Sequence, residues 1–142
     1  MPIHSFRFEI TESALSYEQR LQQNMDMLIA QGAVISLDDF GTGYSNLMRV
    51  LKFPFEDVKI DMTFVLAYFD RTNKLLPAII EGFQSFGVQI TAEGIENKQM
   101  ADTLTTFGCR ILQGFYFAKP LPMDEFLHYL KTTAPTVRTD TD

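Results

Sequence analysis

The chain has 142 residues, a hydrophobic content of 46% and a formal net charge of −6, which together fit one globular domain with a substantial core. Because no cluster of Lys and Arg offsets this acidic balance, the composition disfavours nonspecific binding to nucleic acid. No apolar run approaches the roughly 20 residues that a membrane helix needs, and the single cysteine, Cys109, excludes an internal disulfide and favours a reducing, cytoplasmic setting.

The first elements are a predicted strand and a predicted helix. Residues 6–10 alternate in hydrophobicity, which predicts a strand with Arg7 and Glu9 on one face. A capping box over residues 16–19 predicts the start of a helix, and Gly32 is placed to end it.

A short apolar run from Val34 then ends in two adjacent carboxylates, Asp38 and Asp39, and a turn containing Gly41 and Gly43 follows at once. Two carboxylates at the end of a buried strand are costly to desolvate unless a cation or a polar cavity receives them. Paired carboxylates suit Mg²⁺ or Mn²⁺ better than a softer metal. The alternative is that the two aspartates only cap the next helix, and the motif alone leaves both interpretations open.

The rest of the chain repeats the pattern of helix, glycine, short apolar strand and polar loop. In chain order we predict a short helix over 45–51, a strand over 57–61, a helix over 71–86 that contains Pro77, a strand over 88–92, a helix capped by Asn97, a strand over 110–117 and a last helix that Pro122 starts. We expect one domain over 1–131 and a disordered tail over 132–142, because the end of the chain is rich in Thr, Pro and Asp.

Polar side chains gather towards the C-terminal ends of all five predicted strands. They are Glu9, Asp38 and Asp39, Lys59 and Asp61, Glu93, and Gln113. Repeated βα units predict a parallel sheet, and the carboxyl ends of its strands form the functional face of an α/β fold. Each residue alone could cap a turn, but five successive positions predict divalent-metal hydrolysis of a phosphate ester, with carboxylates holding two ions and the lysine neutralising charge or orienting water.

Five ordered stretches carry a resemblance to a known family. They are Glu9-Ile-Thr-Glu12-Ser13, residues 38–47 (DDFGTGYSNL), residues 58–61 (VKID), residues 92–96 (AEGIE) and residues 113–120 (QGFYFAKP). On these motifs the chain resembles the EAL-domain family of cyclic di-GMP phosphodiesterases over residues 6–130. The resemblance implies an α/β fold, a partial TIM-like (βα) barrel comprising about the last five βα units. It also implies hydrolysis of cyclic di-GMP to linear pGpG with two Mg²⁺ or Mn²⁺ ions.

The resemblance also implies roles for individual residues. By these motifs Glu9, Asp38 and Asp39 would bind metal, with Asp39 shared between two ions, and Glu93 and Gln113 would complete the metal and water shell with Asp61 close by. Lys59 would contact the catalytic water, so that Lys59, Glu93 and Asp61 form the expected catalytic set. Glu12 would hold the loop after Asp39, a loop that in family members bears on dimerisation and metal binding, and Glu96 would support the neighbouring loop.

The chain departs from the family pattern in several ways. The Glu-Ala-Leu motif, whose Glu binds metal, is absent, as is a downstream Asn ligand, and only about five of the eight barrel strands are readable. Such a piece would expose two sheet edges. It fits a domain fragment, a truncated gene product, or a half-barrel that dimerises or swaps. Met62 stands where Arg is usual, and Asn97 where Thr is usual.

Two functions follow as hypotheses. The first is a phosphodiesterase that needs its full context, so that the isolated chain has little or no activity. The second is a non-catalytic module that binds cyclic di-GMP or a protein. The expected partners are cyclic di-GMP and a second copy or other chain that covers the open barrel edges, with no nucleic acid and no membrane segment.

Overall fold

The computed structural model describes residues 3, 6–42 and 47–133. Within them the elements are β1 (Arg7–Thr11), a 3₁₀ helix (Glu12–Tyr17), α1 (Glu18–Ala30), β2 (Val34–Phe40), α2 (Leu47–Val50), β3 (Asp57–Ile60), α3 (Met62–Phe69), α4 (Leu76–Ser85), β4 (Gln89–Ala92), α5 (Lys98–Thr106), β5 (Ile111–Leu112) and α6 (Met123–Thr133).

The five strands form one parallel sheet in the order β1-β2-β3-β4-β5. The prediction of successive parallel βα units is therefore confirmed. In the register of this sheet, Glu9 lies beside Ser36 on β2, and Lys59 lies beside Thr91 on β4. Because parallel strands end at the same edge, the residues that follow them meet there.

One face of the sheet packs against the helices and forms the core. The buried strand residues on this face are Ile35, Leu37, Val58, Ile60, Ile90 and Ala92, and they join helix residues such as Met25, Val65, Ile80, Phe83 and Leu104. The alternate strand positions carry polar side chains instead. This period of two separates an apolar helix-covered face from a polar inner face, as in a (βα) barrel.

The region between β3 and β4 differs from the prediction. The sequence pattern does not predict α3, because Asp61 falls at the end of the strand predicted over 57–61, whereas in the structure its side chain caps the helix that starts at Met62. The helix predicted over 71–86 begins only at Leu76, which places Pro77 in its first turn. Proline is favoured there because the first turn of a helix leaves its N–H groups without partners inside the helix. Pro77 is therefore a start signal and not an interruption.

The last strand is shorter than the predicted 110–117. It ends at Leu112, because the backbone then pairs with the loop after β4: Ile95 N donates to Gln113 O at 3.1 Å, and Tyr116 N donates to Ile95 O at 2.9 Å. A Cβ on Gly114 would lie 2.2 Å from the Ile95 backbone, so this close approach requires glycine.

The remaining boundaries differ by a few residues. The 3₁₀ helix precedes α1, which begins at Glu18 rather than at the predicted capping box, and the cap at Asn97 is confirmed because its side chain accepts from Met100 N. α6 extends to Thr133, two residues beyond the predicted domain boundary. Gly43, the start of the helix predicted over 45–51, and the tail from 134 onward lie outside the described residues.

Two edges of the sheet are open within the described residues. β1 pairs only with β2, and β5 pairs only with β4. In the described part of the chain, no helix combines the length and the apolar character that crossing a bilayer demands.

Candidate functional site

The inner face of the sheet brings four of the predicted site residues together around one ammonium group. Lys59 Nζ lies 2.9 Å from Asp38 Oδ1, 2.9 Å from Glu93 Oε1 and 3.3 Å from Glu9 Oε1. These residues come from β1, β2, β3 and the loop after β4, and we call them the lysine cluster. The lysine cluster is a direct result of the parallel register, which aligns the carboxyl ends of four neighbouring strands.

The lysine cluster is only partly accessible to water. The side chains of Lys59, Glu93 and Asp38 are 14%, 17% and 22% exposed, and that of Glu9 is 46% exposed. Burial by itself lowers the pKa of Lys59, but its hydrogen bonds to Asp38, Glu93 and Glu9 outweigh this effect and raise the pKa above its ordinary value. Lys59 therefore stays charged at neutral pH.

The donor chemistry of the lysine cluster fits a hard divalent cation. Three carboxylates face one ammonium, so the cluster holds an excess of negative charge and only oxygen donors around it, as Mg²⁺ and Mn²⁺ require. Among residues 3, 6–42 and 47–133, no three acidic, His or Cys side chains already surround a common point that could take an ion. The carboxylates are instead arranged around the lysine ammonium.

A bulge in β2 produces the two consecutive carboxylates. Leu37 pairs with Val58, but Phe40 pairs with Ile60, so Asp38 and Asp39 together stand opposite one residue of β3. Asp39 takes up the extra residue with a φ of +60°, and its carbonyl accepts from Thr42 Oγ1 at 3.1 Å. Bulges of this kind redirect side chains at strand ends. Here the bulge interrupts the alternation that would send neighbouring side chains to opposite faces.

Three other predicted residues line a neighbouring cavity of about 270 Å³. Asp61, Glu96 and Gln113 lie on its wall, and Glu93 belongs both to this wall and to the lysine cluster. We call this space the Glu93 cavity. The sequence-predicted residues are thus divided into two adjoining groups that share one carboxylate.

Asp61 has a clear structural role in addition to its place on the cavity wall. Its Oδ1 accepts hydrogen bonds from Thr63 N at 2.7 Å and from Thr63 Oγ1, which caps α3. Asp61 forms no ion pair with Lys59.

Glu12 opens the 3₁₀ helix that follows β1. The loop that Glu12 is predicted to hold includes residues 43–46, which lie outside the described residues. Just before them, Gly41 has a φ of +105°, and a Cβ there would lie 2.7 Å from the side chain of Phe64.

A second polar group lies one layer below the lysine cluster and was missed in the sequence. Asp57, only 2% exposed, accepts from Ser36 Oγ at 2.7 Å and from Thr91 Oγ1 at 2.9 Å, and it lies 3.3 Å from Arg7 Nη1. We call these four residues the Asp57 network. Each of them precedes a member of the lysine cluster by two positions. Side chains two positions apart on a strand share a face, and this spacing is the feature of the sequence from which the Asp57 network could have been predicted.

A comparison with protein-family models matches the EAL domain over residues 2–120. Among curated proteins, the chain is 36% identical to the cyclic di-GMP phosphodiesterase RocR of Pseudomonas aeruginosa, over 91% of this chain and 34% of that protein. It is 37% identical to the cyclic di-GMP phosphodiesterase PdeR of Escherichia coli, over 87% of this chain and 19% of that protein. The chain therefore spans about a third or less of the length of these relatives.

Solved structures of EAL domains and related phosphodiesterases superpose on this chain. The EAL domain of Mycobacterium smegmatis DcpA superposes with a TM-score of 0.81 and 35% identity, over 93% of this chain and 60% of that one. The PaMucR phosphodiesterase in its c-di-GMP complex superposes with a TM-score of 0.77 and 31% identity, over 89% of this chain and 52% of that one. These likenesses confirm the predicted fold class, a partial TIM-like barrel.

Proposed function

Because this chain belongs to the EAL domain family, we propose that it carries most of the active site of a cyclic di-GMP phosphodiesterase. The proposed reaction is hydrolysis of one phosphodiester bond of cyclic di-GMP to give linear pGpG. RocR and PdeR are named as phosphodiesterases of this substrate, and PaMucR is solved in complex with it. Since the chain spans only part of these relatives, the activity of a whole protein is part of the proposal.

The observation that carries the proposal is the lysine cluster. Three carboxylates from different strand ends converge on one partly buried ammonium. A structural salt bridge needs one carboxylate, whereas this arrangement retains a surplus of negative charge on the functional edge of a parallel sheet. Such a surplus is the usual condition for divalent-metal chemistry on a phosphate ester.

The proposed residue roles are those that the family resemblance implies. Glu9, Asp38 and Asp39 would hold two Mg²⁺ or Mn²⁺ ions, together with Glu93 and Gln113. When bound, these ions supply a water nucleophile of lowered pKa and neutralise charge on the phosphodiester. Lys59 stays protonated, so it cannot act as a general base at neutral pH. We assign it to donating hydrogen bonds to the attacking water and to orienting the carboxylates around it.

The residues of the Glu93 cavity complete the proposed site. Glu93 connects this cavity to the lysine cluster, and the Gln113 side chain provides a neutral amide on its wall. Asp61 lies beside them as a cap of α3, and Glu96 supports the loop between β4 and α5. Glu12 is proposed to hold the loop after Asp39.

The domain extent and the setting belong to the same proposal. Residues 1–131 would form the C-terminal part of an EAL domain, followed by a tail over 132–142. We propose that a second copy or another chain covers the open edges at β1 and β5, and that the five-strand piece alone turns over little substrate. A reducing cytoplasm suits the buried free thiol of Cys109.

The test is turnover of cyclic di-GMP by the purified chain with Mg²⁺ or Mn²⁺, measured by chromatographic separation of pGpG. Asp38→Asn removes a carboxylate from the lysine cluster while keeping its shape. Asp124→Asn is the matched control, because Asp124 lies in the first turn of α6 outside the cluster. Because the five-strand piece alone is proposed to turn over little substrate, formation of pGpG that D38N abolishes and D124N preserves would support the assigned roles together with completion of the site by a partner chain. Turnover unchanged by D38N would contradict the assigned roles.

A second candidate is a non-catalytic module that binds cyclic di-GMP or a protein partner. It is favoured by the arrangement of the carboxylates, which already neutralise Lys59 and do not surround a common metal position within the described residues. Equilibrium dialysis with labelled cyclic di-GMP distinguishes the two. Saturable binding without any pGpG in the presence of Mn²⁺ would favour this module.

A further inference from the structure

The chain contains a second concave site on its helical side. A cavity of about 570 Å³ lies between the end of α3, the loop that follows it and one face of α5. We call it the α3–α5 cavity. Its volume falls within the roughly 300–1,000 Å³ that small-molecule sites occupy, and it shares no lining residue with the Glu93 cavity.

Two cations line this cavity without a carboxylate to neutralise them. Arg71 and Lys74 lie on its rim, and no acidic residue is among its lining residues. Within the described ranges, neither cation forms an ion pair, although Asp70 directly precedes Arg71. On a chain with a net charge of −6, two neighbouring unpaired cations make a local positive site that attracts an anion.

The loop that presents these cations is held firmly. The carbonyl of Ala67 accepts from Thr72 N, Thr72 Oγ1 and Asn73 N, each at 3.0 Å. The Asn73 side chain in turn accepts from Leu75 N at 2.8 Å. Arg71 is thereby fixed at a φ of +60°. Because the loop is already ordered, binding a ligand would not cost the conformational entropy of ordering it.

The cavity is also lined by two aromatic side chains and by neutral hydrogen-bonding groups. Tyr68 and Phe69 end α3, and the Tyr68 ring is fixed edge-to-face against Phe107 with centroids 5.6 Å apart. Gln99 and Thr103 lie one turn apart on α5 and face the cavity from the other side. Flat rings pack on aromatic side chains, and an arginine fork matches a phosphate group.

We propose that the α3–α5 cavity binds a small anion that carries a flat ring, the chemical class of a nucleoside monophosphate. The phosphate would lie against Arg71 and Lys74, and the ring against Tyr68 and Phe69. Gln99 and Thr103 would offer hydrogen bonds to the polar groups of the ring or sugar. This site is separate from the Glu93 cavity, since α3 carries Tyr68 about 10 Å away from Asp61 along the helix axis.

The test uses the full 142-residue chain and a fluorescent N-methylanthraniloyl derivative of GMP, with EDTA present so that no divalent metal supports binding at the lysine cluster. Fluorescence anisotropy gives the dissociation constant, and unlabelled GMP and inorganic phosphate serve as competitors. The double variant R71Q/K74Q removes both cations. Its matched control is R20Q/K52Q, which removes one Arg and one Lys that are exposed elsewhere.

The expected result is saturable binding that unlabelled GMP displaces, weakened at least tenfold by R71Q/K74Q and less than twofold by R20Q/K52Q. Thr103→Glu brings a negative charge in from α5, so it should weaken binding by a similar factor without touching the loop. Circular dichroism checks that each variant is folded.

Three results would overturn the proposal. They are the absence of saturable binding, an unchanged affinity in both R71Q/K74Q and T103E, and loss of binding in Asp38→Asn, which would place the probe at the lysine cluster. If inorganic phosphate displaced the probe at the same concentrations as GMP, the ring would contribute nothing to binding, and the proposed ligand class would be wrong.

Discussion

Asp57 is a buried carboxylate whose hydrogen bonds are satisfied by three neighbours, Ser36, Thr91 and Arg7. Burying a charge is costly, and removing one partner of a buried pair leaves the other uncompensated. We expect Asp57→Ala to lower the free energy of unfolding by about 3 kcal/mol, because Arg7 then loses its buried partner and two hydroxyls lose their acceptor. Urea denaturation followed by circular dichroism measures this change.

Asp102→Ala is the matched control for that prediction. Asp102 also pairs with a cation, Lys98 Nζ at 2.6 Å, but both side chains are largely exposed at 63% and 73%. Exposed ion pairs contribute little because water and salt screen them. Equal losses of stability in D57A and D102A would contradict the prediction that the buried Asp57 network stabilises the fold more than an exposed ion pair does.

A second residue-scale prediction concerns the thiol of Cys109. Burial raises its pKa from about 9.0 to about 12. The folded state thus keeps this proton where the unfolded chain loses it, so the stabilisation is complete below pH 9 and declines as the pH rises from 9 towards 12. As the pH rises from 9 to 11, we expect the free energy of unfolding to fall less in Cys109→Ala than in the parent chain, as measured by urea denaturation at each pH.

The same burial predicts slow alkylation. At pH 8 iodoacetamide should modify Cys109 much more slowly in the native chain than in the urea-unfolded chain, because the thiolate is the reactive form. Equal rates in the two states, measured by mass spectrometry, would contradict an inert buried thiol.

At the scale of single residues, the lysine cluster could be predicted from the sequence, but the Asp57 network could not. Glu9, Lys59 and Glu93 could be predicted because each is a charged residue within or directly after an otherwise apolar strand pattern, where a charge is conspicuous. Ser36 and Thr91 are small polar residues inside strands, and such residues carry no signal until the register shows that both reach Asp57. Their significance depends on the cross-strand alignment, which a single strand does not reveal.

At the scale of elements, α3 depends on the residue that precedes it. Asp61 caps this helix, since its carboxylate accepts from Thr63 N. Asp61→Asn keeps an oxygen acceptor at the cap, whereas Asp61→Ala removes it and should cost about 1 kcal/mol. We therefore expect D61N to be as stable as the parent chain and D61A to be less stable, by thermal or urea denaturation.

Asn97→Ala is a suitable control, because Asn97 caps α5 through the same kind of bond to Met100 N at 2.9 Å and should cost a similar amount. If D61N lowers turnover in an active assembly while leaving stability unchanged, Asp61 has a role in the reaction beyond capping. Equal stability of D61A and the parent chain would contradict the capping role.

Most element types could be predicted from periodicity, but α3 and several boundaries could not. Leu75 and the residues before it have helical spacing with Ile79, so nothing in the pattern separates the loop from α4 except Pro77. β5 ends early because Gln113 and Gly114 pair with the backbone of Ile95. Both outcomes depend on tertiary contacts that local periodicity does not encode.

For the whole molecule, the predicted parallel βα order is confirmed, and its consequence is a sheet with two open edges. Exposed apolar side chains lie near both edges: Phe6 and Phe8 at β1, and Ile111, Phe115 and Phe117 at β5. α6 has no buried residue, although its sequence carries Phe126, Leu127 and Leu130 on a helix of amphipathic pattern. What covers these surfaces could not be predicted, because the pattern of one chain contains no information about its neighbour.

Open strand edges with exposed apolar side chains favour pairing with another chain. We therefore expect the purified chain to self-associate at micromolar concentration, with a mass in sedimentation velocity above that of the monomer. Phe8→Lys and Ile111→Lys each place a charge at one edge, and charges there oppose edge-to-edge pairing. Each variant should shift the population towards monomer.

Met27→Lys is the control for these variants, since Met27 is 63% exposed on α1 and lies on neither edge strand. A closed TIM barrel has eight strands, so two copies of a five-strand sheet exceed one barrel, and edge pairing would produce an extended sheet instead. A monomeric parent chain, or self-association that only M27K reduces, would show that the edges do not mediate assembly. In the second case the exposed face of α1 becomes the interface to examine.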